Sequence, residues 1–327
     1  MRWRDFIVAV GGVIVSPPIA ARAQKSTIPV VGYLGAVAQR PNLPFTAAFF
    51  RGLVETGFTE GRDFIVDYRW AEGNLDRLPA LAAELVSDHV AVIFASGGVV
   101  SARAAMQATS SIPIVFSIGD DPVRLGLVSS INRPTGNVTG VTFNFTVLGA
   151  KRWELLHEMV PKAGVVAVLV APDSATSVLE GRQVEEVART NGRQVLIFSA
   201  RTGNDIESAF ANTIEQQADA LLVTGSPFFG QEREQIVTLA ARHSLPAIYY
   251  EREFVVAGGL MSYGVPLRDN YHQAGVYVGQ LLKGAKPSDL PVVQGTKIEL
   301  VINLKTAKQL NLSVPLTMQM TADEVIE

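Results

Sequence analysis

An internal repeat is the sequence feature that most restricts how this chain can fold. One segment begins with the apolar, β-rich run "IPVVGYLG" at Ile28, and a second begins with "VVAVLVAP" at Val165. In each, a helix-like stretch follows and stops at a glycine, Gly57 or Gly192, as helices commonly do. Further strand-like runs continue the correspondence: "FIVDYRW" with "QVLIFSA", "VAVIFAS" with "ADALLVTGS", and "IPIVFS" with "LPAIYY". The chain therefore contains two copies of one α/β arrangement.

The order of these elements predicts the fold class. Strands that alternate with helices are typical of parallel sheets with right-handed crossovers. Near-continuous apolar strands such as "AVIFA" and "ALLV" are typical of sheets covered by helices on both faces. We therefore expect an α/β protein with two similar, doubly wound parallel-sheet lobes.

One helix and one strand–helix unit remain after the second copy, in "RDNYHQAGVYVGQLLKG" and "KIELVINLKTAKQLNL". If each lobe needs one more element, the chain crosses between the lobes three times, near residues 140–146, 258–264 and 290–296. Three crossings predict a three-segment hinge. The N-terminal lobe is predicted to comprise residues 28–142 and 264–292, and the C-terminal lobe residues 143–263 and 293–327.

Composition excludes several classes of function. The formal net charge is −3, and no cluster of basic residues with interleaved aromatics marks a nucleic-acid surface. The chain has no cysteine, and its four histidines lack metal-binding spacing, so neither a thiolate nor a metal site is expected. Catalytic signatures and dinucleotide fingerprints are absent. We expect no cofactor.

The first 23 residues have the pattern of a secretory signal. "MRWRD" is a basic start, "FIVAVGGVIVSPPIA" is an apolar core interrupted by two prolines, and Ala21 and Ala23 occupy the positions that signal peptidase reads. The uninterrupted apolar run is shorter than the roughly 20 residues of a membrane span. We expect cleavage after Ala23 and a periplasmic protein. The separated arginines Arg2 and Arg4 leave the export route, general or twin-arginine, open.

The binding cleft is predicted at the carboxyl ends of the strands. Ligands of open α/β sheets bind there, and two lobes that face each other across a hinge present both sets of strand ends to one cleft. Gly97 and Gly98 precede a helix-like run, and free N–H groups at a helix start can bind an anion such as a carboxylate. The candidate ligand-binding residues are Ala36, Ser96, Gly97, Asp120, Asp121, Asn144, Asp173, Ser226, Phe228 and Tyr250.

The adjacent carboxylates in "SIGDDPV" allow two interpretations. Asp120 and Asp121 follow an apolar strand, where a ligand ammonium or a nearby arginine would offset their repulsion. Alternatively, Asp121 before Pro122 caps a helix that begins with the proline. Asp120 is expected to face the cleft. For Arg252, a local salt bridge with Glu251 or Glu253 is expected rather than ligand contact.

Several longer strings resemble one protein family. "YRWAEGNLDRLPALAAELV", "IPIVFSIGDDPVRLGLVSSINRPTGNVTGVT", "AARHSLPAIY" and "REFVVAGGLMSYG" resemble the ABC transporter substrate-binding proteins related to the tryptophan-binding protein. The resemblance covers Ile28 to Glu327. It implies a type I periplasmic-binding-protein fold, capture of a small molecule, and delivery to an inner-membrane permease and its ATPase.

The same resemblance bears on the ligand. Some relatives bind aromatic amino acids and carry an aspartate where this sequence has Ser226. This departure leaves two alternatives: Asp120 supplies the missing charge, or the ligand lacks an amine. An amino acid, aromatic or carboxylate-bearing small molecule is expected.

The expected mechanism is hinge closure by a monomer, in which the ligand bridges the two lobes. Two alternatives use the same cleft: an isomerase with Asp120 or Asp121 as its base, and a sensor that passes its ligand to a membrane receptor. A sugar-responsive repressor of similar fold needs a DNA-binding helix-turn-helix before the first lobe. Only the secretory signal precedes Ile28.

Overall fold

A computed structural model of the protein describes residues 28–38, 44–143 and 146–327. The predicted signal sequence and Asn144 lie outside the described residues. The chain forms two α/β lobes, each built on one sheet. None of the helices formed by the described residues is long and apolar enough to cross a membrane.

The first sheet has six parallel strands in the order β11-β5-β4-β3-β1-β2, numbered along the chain. Its inner strands are buried from end to end, which explains their continuous apolar runs. The strands are β1 Val30–Gly35, β2 Ile65–Trp70, β3 Val92–Ser96, β4 Ile114–Ile118, β5 Val138–Thr142 and β11 Val293–Gln294.

The second sheet has seven strands in the order β13-β12-β10-β9-β8-β6-β7. Its first five strands, β6 to β10, are arranged in the same order as β1 to β5 of the first sheet. For example, β6 lies between β7 and β8, as β1 lies between β2 and β3. The predicted repeat is therefore a repeat of strand order. The strands are β6 Val165–Val170, β7 Gln194–Ser199, β8 Ala220–Val223, β9 Ala247–Tyr249, β10 Met261–Gly264, β12 Glu299–Asn303 and β13 Glu324–Ile326.

Helices cover both faces of each sheet. In the first lobe, α2 and α3 pack on one face, and α1 and α10 pack on the other. In the second lobe, α6 and α8 lie opposite α4 and α5. The helices are α1 Pro44–Glu55, α2 Leu78–Ser87, α3 Val99–Ala108, α4 Gly149–Met159, α5 Ala175–Thr190, α6 Gly203–Glu215, α7 Pro227–Gln231, α8 Arg233–Arg242, α9 Arg252–Val256, α10 Leu267–Leu282, α11 Leu304–Gln309 and α12 Leu316–Thr321, with 3₁₀ turns at Leu75–Arg77, Thr146–Leu148 and Pro287–Asp289.

The second crossing between the lobes follows Gly264, at the end of the predicted stretch 258–264, because β10 lies inside the second sheet. β11 pairs with β5 of the first sheet, so the third crossing follows Gln294, which lies within the predicted stretch 290–296 but two residues beyond the predicted lobe bound at 292. In both cases a short strand adds its backbone hydrogen bonds to the sheet before the chain crosses. The predicted lobe bounds otherwise remain a proposal.

One strand pair of the second sheet departs from the predicted parallel arrangement. β10 and β12 are antiparallel, and Gly264 at the end of β10 pairs with Glu299 at the start of β12. The reason is the path of the chain between the lobes: β10 carries the chain out of the second lobe, and β12 carries it back in at the same edge. Neighbouring strands that leave and enter at one edge must run in opposite directions.

Candidate ligand-binding site

A cavity of about 420 Å³ lies between the two lobes, within the range of roughly 300–1,000 Å³ that is usual for small-molecule sites. Both lobes line it with the residues that follow their strands. The first lobe contributes the ends of β1, β2, β3 and β4, and the second lobe contributes the loops after β6, β8 and β9. The cavity therefore lies where the repeat predicts a cleft.

Aromatic side chains form much of the wall. Tyr33 and Trp70 contact each other with ring centroids 4.8 Å apart, and Phe45 stacks on Tyr271 at 5.3 Å. Phe228 lines the opposite side from the second lobe. Such a wall offers flat apolar surfaces on which an aromatic group can stack.

Hydroxyl groups of the first lobe lie among these aromatic side chains. The Ser96 Oγ and Tyr271 Oη atoms are 2.8 Å apart, and the Tyr33 hydroxyl donates to Ser96 Oγ at 3.4 Å. Burial raises the pKa of Tyr271 to about 12, so its hydroxyl stays protonated near neutral pH and can donate a hydrogen bond. Ser117 Oγ is buried and has no hydrogen-bond partner among the described residues.

The N-terminus of α3 also faces the cavity. Gly97 and Gly98 have φ of 93° and 99°, a conformation that favours glycine. A Cβ atom at Gly97 would lie 2.7 Å from the Cβ of Ala36, so a side chain there would press on the neighbouring loop. Gly98 is the N-cap and has no side chain to pair with the first N–H groups of the helix. These free N–H groups, beside the buried Ser117 Oγ in the cavity wall, suit a carboxylate.

Charged side chains of both signs line the cavity. Asp173 and Arg201 form an ion pair at 3.1 Å, and both are more than half exposed. Glu251, by contrast, is 2% exposed. Burial raises the pKa of Glu251 well above its ordinary value and Glu253 adds to this, while Arg233 and a hydrogen bond with Tyr250 oppose it.

Contacts across the cleft join the lobes at two places. The backbone N–H of Ala38 in the first lobe donates to Gln231 Oε1 on α7 of the second lobe at 3.1 Å. Close to the second crossing, Arg268 Nε of α10 donates to Glu253 Oε1 of α9 at 2.9 Å. The lobes therefore touch both at the mouth and beside the hinge.

Most of the residues predicted from the sequence line this cavity. Their positions follow from strand ends, which the strand-like runs mark in the sequence. Contact with a ligand remains a prediction for each of them. The lining members of the predicted set are Ala36, Ser96, Gly97, Asp173, Ser226, Phe228 and Tyr250.

Asp120 and Asp121 do not line the cavity, which corrects the prediction that Asp120 faces the cleft. Asp121 Oδ1 accepts from the N–H groups of Val123 and Arg124 at 2.8 and 3.3 Å, so it caps backbone N–H groups as its second interpretation holds, but a turn follows it and not the predicted helix. Asp120 is buried, and its Oδ1 accepts from Arg124 Nη2 at 2.5 Å and from the Asp121 N–H at 2.7 Å. Local donors therefore occupy both carboxylates.

Several residues that line the cavity were not identified from the sequence. Trp70 ends β2, so the strand-end rule could have identified it. Glu251 lies in a loop that the same rule places at the cleft, but the sequence suggested it only as one of two salt-bridge partners of Arg252, the other being Glu253. Arg252 instead contacts Glu324 at 2.5 Å. Tyr271 lies on α10 beyond the second crossing, and only the packing of that helix brings it to the cavity.

Comparisons with known proteins agree with this architecture. A curated relative, the tyrosine-binding protein of Clostridioides difficile (strain R20291), is 26% identical over 264 residues, covering 81% of this chain and 75% of the relative. The structure of an ABC domain in complex with L-Trp from Streptococcus pneumonia matches with a TM-score of 0.79 and 24% identity, over 90% of this chain and all of that one. A ligand-free, open substrate binding protein from Clostridium difficile matches with a TM-score of 0.63 and 25% identity, over 91% and 99%.

A family model extends this likeness along most of the chain. The model describes ABC transporter substrate binding proteins, and it matches residues 44–326. The predicted resemblance and the predicted two-lobed type I periplasmic-binding-protein fold are both confirmed. With two parallel-sheet lobes, a cavity between their strand ends and this match, the chain belongs to the ABC transporter substrate binding protein family.

Proposed function

We propose that this protein is the periplasmic solute-binding component of an ABC importer and that it captures an aromatic L-amino acid between its lobes. The observation that carries the proposal is the aromatic cavity formed by the strand ends of both lobes. Two similar proteins support the choice of ligand, one called a tyrosine-binding protein and the other solved with L-Trp.

The geometry supports a defined orientation of such a ligand. The aromatic ring would stack among Tyr33, Trp70 and Tyr271, and its carboxylate would lie at the start of α3 near Ser96. The first lobe would hold both the ring and the carboxylate, and Phe228 of the second lobe would cover the ring from the opposite side, so the ligand would bind the closed form better than the open one. Ligand binding then shifts the population towards closure, which the permease reads.

Two observations favour a closed form of the described structure. The hydrogen bond from Ala38 to Gln231 spans the mouth of the cleft. The TM-score is also higher with the L-Trp complex than with the open, ligand-free protein, 0.79 against 0.63, although the sequence identities are almost equal. A rotation of one lobe against the other would produce this difference.

The cellular role follows from the family and from the N-terminal pattern. We propose that residues 1–23 are removed by signal peptidase after Ala23 and that the protein works in the periplasm as a monomer. Its partners would be an inner-membrane permease and the ATPase of that permease. Secretion into the periplasm of an expressing bacterium, with N-terminal sequencing of the product, tests the cleavage site.

Binding of aromatic amino acids is the first prediction. In a thermal-shift screen, L-tyrosine or L-tryptophan at ~100 times its dissociation constant should stabilise the purified protein by ~2.7 kcal/mol. With an unfolding entropy of ~2.1 cal/mol/K per residue, a chain of about 300 residues should show a rise of roughly 4 °C in melting temperature. L-Leucine, sugars and dicarboxylates serve as controls. Stabilisation by a sugar alone would contradict the proposed ligand class.

The screen also addresses the alternative functions. An isomerase that uses Asp120 or Asp121 is not supported, because neither residue lines the cavity. NMR spectra of the ligand before and after prolonged incubation with the protein would reveal any turnover. Delivery to a sensor instead of a permease would leave import unaffected when the gene is deleted, whereas the proposal expects uptake of the labelled amino acid to fall.

The second prediction is that Gln231 acts as a latch, meaning that its hydrogen bond across the cleft stabilises the closed form. Gln231→Ala removes the hydrogen bond to the Ala38 N–H, and a net value of ~0.5–1.5 kcal/mol per hydrogen bond predicts a loss of about 2- to 10-fold in affinity. Most of the change should appear as faster dissociation in stopped-flow experiments. Gln235→Ala is the matched control, because Gln235 bonds to Gly203 within the second lobe. Equal effects of both substitutions would contradict a latch.

A further inference from the structure

Among the described residues that line the cavity, one acidic side chain is buried and takes part in no ion pair. Ser226 stands where some relatives carry an aspartate, and Asp120, which was predicted to supply the missing charge, does not line the cavity. Asp173 does line it, but it is half exposed and pairs with Arg201. Glu251 remains: it lines the cavity, and it is 2% exposed.

The position of Glu251 leaves its carboxylate available. It follows β9 as the N-cap residue of α9, yet its side chain makes no capping hydrogen bond. Its Oε1 atom is fully buried without a hydrogen-bond partner among the described residues. Gly230 also lines the cavity and packs beside this atom, since a Cβ at Gly230 would lie 3.2 Å from Oε1 and 2.8 Å from the Tyr250 hydroxyl.

The cations in the neighbourhood are engaged elsewhere. Arg233 Nη1 donates to the Gly230 carbonyl at 2.9 Å, Arg268 pairs with Glu253, and Arg252 pairs with Glu324. Within the described part of the chain, no ion pair involves Glu251. A buried carboxyl group without a cation is costly in its charged form, so the site favours a positively charged guest.

We propose that Glu251 binds the ammonium group of the amino-acid ligand. This inference rests on the proposed function, and it names the group that replaces the aspartate absent at Ser226. An ammonium beside Oε1 would donate to the unpartnered oxygen and neutralise the charge in one contact. It would also tie the ligand to the second lobe, while the start of α3 holds its carboxylate in the first lobe.

Binding of an ammonium group beside Glu251 should change the protonation of the Glu251 carboxyl group. The groups around Glu251 are Glu253, Arg233, Tyr250 and Tyr271, and the pKa of the ligand-free carboxyl lies well above its ordinary value because of burial and Glu253. An ammonium favours the ionised form, so binding lowers that pKa and releases a proton. Affinity should therefore rise with pH until the ligand-free carboxyl is itself ionised, and it should fall again where the amine of the ligand loses its proton.

The test compares ligands with and without an amine by isothermal titration calorimetry. We expect Glu251→Gln to weaken L-tyrosine binding by about 10- to 100-fold, as for the loss of a charge-assisted hydrogen bond. Its effect on 3-(4-hydroxyphenyl)propionate, which lacks the amine, should stay below about 3-fold on the same grounds. Titrations in two buffers of different ionisation enthalpy should show proton release with the wild-type protein and none with the variant.

The control is Glu253→Gln, which removes a neighbouring carboxylate that does not line the cavity. It should retain the preference for the amine-bearing ligand, and thermal melts should show that both variants are folded. Equal weakening of both ligands by Glu251→Gln would overturn the inference while the proposed function stands. If the wild-type protein bound no aromatic amino acid, the proposed function would be wrong and this inference with it.

Discussion

Replacing Arg152 with methionine is expected to lower the free energy of unfolding by about 3–5 kcal/mol. Arg152 on α4 and Glu180 on α5 form an ion pair in which both side chains are fully buried. Arg152 Nε also donates to the Tyr263 carbonyl at 2.8 Å, and Glu180 Oε2 accepts from the Gly225 N–H at 2.9 Å. Methionine would leave the Glu180 charge buried without its partner, and the loss is large against a typical total of 5–15 kcal/mol.

Urea unfolding followed by tryptophan fluorescence measures this effect, because Trp153 lies beside Arg152 on α4; the signal of Trp70 in the first lobe adds to it. Lys151→Met is the matched control, because Lys151 and Glu154 form an exposed pair worth at most about 1 kcal/mol. The double variant Arg152→Met, Glu180→Leu should recover most of the loss, since it removes both charges. If the double variant were as unstable as the single one, packing and not charge would be the cause.

The same pair connects the second crossing between the lobes with the wall of the cavity. Tyr263 lies on β10 directly before the second crossing, and Gly225 lines the cavity next to Ser226. Arg152 and Glu180 therefore hold the strand that leads to the hinge and the loop that faces the ligand in one rigid unit. The Arg152→Met variant should also bind ligand more weakly, because the loop at Gly225 loses a fixed acceptor.

Gly275→Ala is expected to destabilise the first lobe by about 3 kcal/mol, at the upper end for an overpacked site. A Cβ at Gly275 on α10 would lie 2.0 Å from the Phe49 carbonyl of α1, and a Cβ at Gly52 would lie 2.0 Å from the His272 carbonyl. Backbone atoms cannot rotate away as a side chain can, so the two helices would have to separate. The better helix propensity of alanine offsets only about 1 kcal/mol.

Thermal and urea unfolding test this prediction, with Gly164→Ala as the control. A Cβ at Gly164 would meet only Asp219 Oδ2, at 3.7 Å, which is an ordinary contact. Because α10 carries Tyr271 into the cavity, Gly275→Ala should weaken ligand binding as well. A variant as stable as the wild type would show that α1 and α10 can move apart at little cost.

The spacing of apolar residues and the positions of glycine and proline in the sequence predict most of the fold. Apolar runs, glycine stops and their repetition predict two parallel-sheet lobes, because buried parallel strands need continuous apolar residues. They could not predict the antiparallel pairing of β10 with β12. That pairing depends on where the chain leaves and re-enters the lobe, which no local pattern records.

The cavity shows where prediction from the sequence stops. Strand-end reasoning correctly selected loops such as those of Ser96 and Ser226, but it could not rank the acidic residues within them. Asp120 and Glu251 both follow a buried strand, and each has an arginine nearby in the sequence. Arg124 turns back to Asp120 at 2.5 Å, while Arg252 turns away from Glu251 towards Glu324.

The amino-acid sequence by itself therefore determined the class of the fold, the duplication and the edge of each sheet where a ligand would bind. These features depend on which residues are buried and on the direction of the chain, and both can be recognised in the sequence from the spacing of apolar residues. Only the tertiary structure decided which side chains face the cavity, such as Tyr271 from a helix that follows the second crossing. The physical reason is that a side chain's partners come from segments distant in sequence, so whether a charge is neutralised or left open to a ligand is settled only when those segments pack.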